Sequence, residues 1–168
     1  MIEQDLPDVF GYTVFCDDIR QEANGKLIFI GVYPHEAMLV QGKFPLTLPR
    51  ICFSILVAQK ISSFLPTVGI QIFVPGDSSD APSIVAEAGE TVDGVVQDMA
   101  DMNSNSFGIP ESERTYIKIF ANMQFENFLL KEEGLIKVRA DVGGKRYKIG
   151  SLRVTKSPVP SDSPTSRI

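Results

Sequence analysis

Apolar side chains recur at every second position over much of the chain, not at the three-to-four-residue spacing of a helix. Phe10, Tyr12, Val14 and Cys16 form one such set, and Ile28, Ile30 and Val32 the next. Ile51, Phe53, Ile55 and Val57 alternate with Cys52, Ser54 and Leu56, and Val68, Ile70, Ile72 and Val74 with Gly69, Gln71 and Phe73. Ile117, Ile119, Ala121, Met123 and Phe125 are interleaved with Lys118, Phe120, Asn122 and Gln124. Ile136, Val138, Ala140 and Val142 are interleaved with Lys137, Arg139 and Asp141. Successive side chains of a strand point to opposite faces, so this rhythm predicts half-buried β-strands.

The punctuation agrees. Asn24-Gly25 and Gly143-Gly144 accept the positive φ that tight hairpins require. Pro34, Pro45, Pro49, Pro66, Pro75 and Pro82 bracket the apolar runs rather than interrupting them. Gly150 divides the final run and predicts a bulge. Residues 92–102 come nearest to a short helix. The expected fold is all-β: a single antiparallel β-sandwich of about seven or eight strands, immunoglobulin-like or C2-like in pattern. The chain lacks the Cys…Trp…Cys core of antibody domains, having no Trp at all.

A length of 168 residues fits one domain with a sizeable core. The sandwich is expected over residues 1–156. The tail 157–168, SPVPSDSPTSRI, is expected to be disordered or loosely packed, having almost nothing to bury. Residues 76–83 and 98–113 read as long polar loops. An apolar fraction of 43% with 22% charged residues is ordinary for a globular protein. The first ten residues carry acids, no basic residue and no apolar core of a secretory signal. No apolar run is long enough for a membrane-spanning helix. Cys16 and Cys52 both lie inside apolar runs and read as reduced core thiols of a cytoplasmic protein, with a sheet-to-sheet disulfide as the alternative for an exported chain.

The net charge of −5 is unevenly spread. Residues 61–113 hold nine acids and no Lys or Arg, whereas residues 131–156 hold eight basic residues and three acids. Opposed segments of this kind can orient self-association or steer a charged partner.

The first candidate site is the pair Asp17-Asp18. If the first strand runs on to Arg20, Asp18 and Arg20 share a face at ~7 Å spacing, within reach of an ion pair. Asp17 then points the other way, which argues against a shared metal or paired acid–base chemistry. Asp17, Asp18, Arg20 and Glu22 are therefore read as a structural corner, with ligand binding as the alternative. A second candidate is calcium. Asp101, Asn103 and Asn105 open like an EF-hand loop, which then fails at Ser106 and Ser112. In a C2-like arrangement Asp77, Asp80, Asp98 and Asp101 could converge at one end. A basic surface is expected from Lys137, Arg139, Arg146 and Lys148, but the acidity of the whole chain argues against nucleic acid. His35 is the only histidine, and the sequence holds no G-x-S-x-G, no phosphate-binding loop and too few ligands for zinc. No cofactor is expected.

The segment Cys16-Asp17-Asp18-Ile19-Arg20-Gln21-Glu22, followed by Gly25-Lys26 and Gly31-Val32-Tyr33, resembles the opening of a family of short bacterial and phage proteins of unassigned function. Phe44-Pro45 and Leu48-Pro49 are similar to its continuation, and the likeness is strongest over residues 10–53. The resemblance implies a β-sandwich in a cytoplasmic setting, no known activity, and a common role in fold or partner binding for Asp17, Asp18 and Arg20. The leading expectation is a non-enzymatic binding module that contacts a protein partner or a second copy through sandwich edges. The alternatives are a calcium- or lipid-responsive C2-like module and a hydrolase centred on His35.

Overall fold

A computed structural model describes residues 7–34, 37–65, 67–88 and 116–157, except for the side chains of Glu87 and Ala88. His35, Asp98, Asp101, the segments 92–102 and 98–113 and the tail from residue 158 lie outside the described residues.

The described chain is built from ten strands: β1 (Val9–Cys16), β2 (Asp18–Gln21), β3 (Leu27–Ile30), β4 (Ala37–Val40), β5 (Leu46–Lys60), β6 (Val68–Phe73), β7 (Ile84–Ala88), β8 (Tyr116–Leu130), β9 (Gly134–Val142) and β10 (Lys145–Lys156). One 3₁₀ turn, Ile61–Ser63, follows β5. The strands form a three-stranded sheet, β1-β5-β8, a five-stranded sheet, β4-β10-β9-β6-β7, and a two-stranded ribbon, β2-β3. The fold is thus the expected all-β sandwich. Its strand count is higher because β2, β4 and β7 are too short to show a period.

One pairing departs from the antiparallel expectation: β4 runs parallel to β10. Nearly the whole domain lies between these strands in the chain, so no hairpin dictates their relative direction. The Gly143-Gly144 turn joins β9 to β10 as expected, and the register slips between Lys148 and Gly150, where the bulge was expected. Pro49 sits inside β5 and not at its border. It lies across from Asn127, whose φ of 54° breaks the β5–β8 ladder there, so the missing proline N–H leaves no gap in regular pairing.

Two faces differ from expectation. In β1 the residues that face the core are Val9 and Phe15, with Gly11 and Thr13 between them. The more apolar set, Phe10, Tyr12 and Val14, lies on the outside, and Tyr12 is 53% exposed. The cause is the close passage of β10. A Cβ on Gly11 would sit 2.9 Å from Ile149 Cγ2, and one on Gly150 would sit 2.6 Å from Thr13 Cβ. Small inward residues let the two layers close at that crossing. In β5, residues 51–59 are buried on both faces, where half-burial was expected. β5 is the middle strand, and its outward Leu56 is walled in by Tyr12 and Phe120 from its neighbours.

The core lies between the two larger sheets. Phe53 is fully buried at its centre, with Phe15, Phe125 and Phe128 packed at centroid distances of 5.4, 5.5 and 6.1 Å. Gln59 is also fully buried. Its Nε2 donates to the Leu65 carbonyl at 3.1 Å and its Oε1 accepts from the Leu65 N–H at 3.0 Å, so the buried amide satisfies both of its ends on one backbone residue.

Phe53→Ala removes the ring on which three others pack and is expected to cost about 3–5 kcal/mol, read as a shift of the urea midpoint. Gly150→Val forces β1 and β10 apart and is expected to cost about 1–3 kcal/mol on the same assay.

Candidate functional site

At the end of β1 the chain turns a corner, and the expected Asp17-Asp18 site forms there. The β1–β5 register sets Cys16 directly opposite Cys52. The strand then bends at Asp17 and resumes as β2, so it does not run unbroken to Arg20 as expected. The corner is stitched by the backbone. The Asp17 N–H donates to the Ile30 carbonyl at 2.9 Å and the Tyr33 N–H to the Phe15 carbonyl at 3.0 Å. Gly31 lies between these two bonds with φ +66°, and a Cβ there would run into the Asp17 carboxylate.

That tight return brings Tyr33 to Asp17: the phenol donates to Asp17 Oδ1 at 2.5 Å. Burial of the ring, and then the Asp17 carboxylate, hold the Tyr33 phenol well above its ordinary range. Asp18 faces different partners. Its Oδ2 accepts from Arg20 Nε at 2.9 Å and its Oδ1 from Arg50 Nη1 at 3.0 Å, while Arg50 Nη2 donates to Glu126 Oε1 at 2.9 Å. The hydrogen bond from Arg20, then that from Arg50, holds the Asp18 carboxyl below its usual value. Asp18 is the most shielded member, its side chain 17% exposed against 68% for Arg20 and 41% for Arg50.

The two carboxylates therefore have separate partners, and both Asp18 oxygens are engaged by guanidinium groups. Glu22 belongs to neither. It accepts from Asn24 Nδ2 at 3.0 Å in the β2–β3 turn. Among the described residues no group of three or more His, Cys, Asp or Glu could hold a metal ion. The corner is built to clamp the β2–β3 ribbon onto the three-stranded sheet. Tyr33, Arg50 and Glu126 were not in the expected set. They lie 16, 32 and 76 residues from their partners in the chain; strand register brings in Arg50 and Glu126, and the return at Gly31 brings in Tyr33.

Beneath the corner, Cys16 and Cys52 are fully buried and free, and Cys52 Sγ donates to the Asp17 carbonyl at 3.6 Å. Burial chiefly, with the neighbouring Cys52, pushes the Cys16 thiol up to about 11, and burial also raises Cys52.

The ribbon so held is apolar and partly exposed. Ile28, Phe29, Ile30 and Val32 are between 37% and 48% exposed, whereas the sequence rhythm placed Ile28, Ile30 and Val32 on a half-buried strand. β3 pairs with β2 alone among the described strands.

The remaining candidates are scattered. Asp77 Oδ2 accepts the N–H groups of Val74 (2.9 Å) and Ser83 (2.8 Å), and Asp77 Oδ1 accepts the Ser83 hydroxyl (2.8 Å), so its carboxylate closes its own loop. Asp80 pairs with Arg146 at 3.7 Å. Lys137, Arg139, Arg146 and Lys148 share the outer face of the five-stranded sheet, with Lys148 directly across from Arg139. Within that group the Arg139 guanidinium stacks on Phe73 at 4.6 Å from the ring centroid. No helix of the described residues is long and apolar enough to cross a membrane. Comparison with protein-family models, curated proteins and solved structures finds no match for this chain.

The Asp18 side chain is expected to titrate below an ordinary aspartate, and Arg20→Gln is expected to move its midpoint up, as read by carboxyl-carbon NMR. Because the folded value is depressed, the stability Asp18 contributes is present above the ordinary carboxyl range and lost as pH falls through the folded value. A colorimetric disulfide reagent at pH 8 is expected to label neither cysteine in the folded protein and both in denaturant.

Proposed function

We propose that the chain is a non-enzymatic β-sandwich binding module, working in the cytoplasm by protein–protein contact through its β2–β3 ribbon. The observation that carries this reading is the run of large apolar side chains, Ile28, Phe29 and Ile30 on a two-stranded ribbon and Val32 just beyond it, with the base of the ribbon clamped by ion pairs. Water-facing apolar groups at adjacent positions have no reason to persist unless something covers them. The clamp supplies what an interface needs beyond stickiness: a fixed shape, which lowers the ordering cost of association. Charges at its base, Asp18, Arg20, Arg50 and Glu126, give the apolar centre a polar rim of the kind seen around protein interfaces. The partner is therefore a protein with a complementary apolar patch.

Supporting the cytoplasmic setting are two thiols directly opposite each other on paired strands and still free. The likeness of residues 16–33 to the bacterial and phage family falls on the corner and the ribbon, which fits a partner common to that family.

The test is affinity capture from the native cell with the wild-type chain and with Phe29→Ser/Ile30→Ser. The expected outcome is a protein retained by the wild type and lost by the variant, with an unchanged thermal midpoint. A captured protein held equally by both chains, or none held by the wild type, overturns the reading.

A further inference from the structure

We infer that β8 is the dimerisation edge of this protein: it pairs antiparallel with β8 of a second copy, about a twofold axis at Asn122. This surface shares Glu126 with the charged base of the β2–β3 ribbon but none of the ribbon's apolar side chains. Among the described residues β8 bonds to β5 on one side and to no strand on the other, leaving a long row of backbone N–H and C=O groups without a ladder.

The core is open along the same edge. Ile119, Ala121, Met123 and Phe125 point inward and pack on the core, yet each is only partly buried. Their partners across the ladder, Val57, Ile55, Phe53 and Ile51, are at most 1% exposed. Something added alongside β8 would complete the burial of these four.

Charge selects a second copy as the occupant and sets its register. A twofold axis between antiparallel strands pairs residue i with the residue equally far beyond the axis. With the axis at Asn122, Lys118 faces Glu126 of the second copy and Glu126 faces its Lys118. On the inner side the same register sets Ile119 against Phe125 and Ala121 against Met123, apolar against apolar. Moving the axis by one residue puts Lys118 opposite Gln124 or Phe128 instead. Lys118 has no ion-pair partner among the described residues, and Glu126 is 60% exposed beyond its contact with Arg50. The paired stretch, residues 118–126, ends just before Asn127, whose positive φ interrupts regular pairing.

The test uses the full chain. Sedimentation velocity is expected to show a dimer of the 18.5 kDa chain, with a dissociation constant weakened about tenfold or more by Lys118→Glu. Asn122→Cys, which faces its own copy, is expected to form a disulfide-linked dimer on mild oxidation, whereas Gln124→Cys, which faces Phe120, is not. All three side chains are exposed, and a circular dichroism spectrum checks that each variant folds. A wild-type monomer up to ~100 μM, an unchanged constant in Lys118→Glu, or equal cross-linking at 122 and 124 overturns the inference. Phe29→Ser/Ile30→Ser is expected to leave the dimer intact, so failure of the ribbon reading is distinguishable from failure of this one.

Discussion

A three-stranded sheet laid on a five-stranded one cannot cover it to both margins, and only its middle strand has a neighbour on each side. Much of this molecule follows from that mismatch of width. β5 must supply the centre of the narrow layer, so residues 51–59 are buried on both faces and Phe53 becomes the point on which Phe15, Phe125 and Phe128 converge. The sandwich closes tightly at one flank, where β1 meets β10 across Gly11, Thr13 and Gly150. At the other flank β8 has no strand paired on its outer side among the described residues, and Ile119, Ala121, Met123 and Phe125 stay partly wet.

The charged corner is an answer to a mechanical problem. A two-stranded ribbon is marginal by itself in water. Here it is fastened at its base by backbone bonds between β1 and the end of β3, by Tyr33 on Asp17, and by Asp18 bridging Arg20 and Arg50. Individually, exposed ion pairs contribute little. Their shared geometry, with Asp18 the least exposed, restricts the ribbon to one direction and so fixes where its apolar side chains are displayed. The same economy explains the two thiols: they fill the space under the corner and have no charge or access for chemistry.

Binding and self-association would then use different parts of the narrow sheet. The ribbon leaves the end of β1 and reaches across β5 to touch β8, while the dimer edge is the side of β8 turned away from β5. Arg50 and Glu126 link the two, since Glu126 touches the clamp and also stands on the edge strand.

The all-β class, the Gly143-Gly144 hairpin, the slip at Gly150 and the Asp18–Arg20 pair were all legible in the chain, because each depends on neighbours within a few residues. The orientation of β1 was not. A period of two marks two faces without saying which is inside, and there the crossing of β10 selected the face with Gly11 and Thr13 over the greasier one. The exposure of Ile28, Ile30 and Val32 was hidden for the same reason, since a strand is half-buried only if a layer lies over it. Arg50 and Glu126 entered the corner through register between distant strands, which no local pattern encodes, and Tyr33 through the return that follows β3. The linear order of residues thus determined extended structure and where it turns. Tertiary packing decided which side of each strand meets water, because burial depends on what lies opposite a side chain and not on what precedes it.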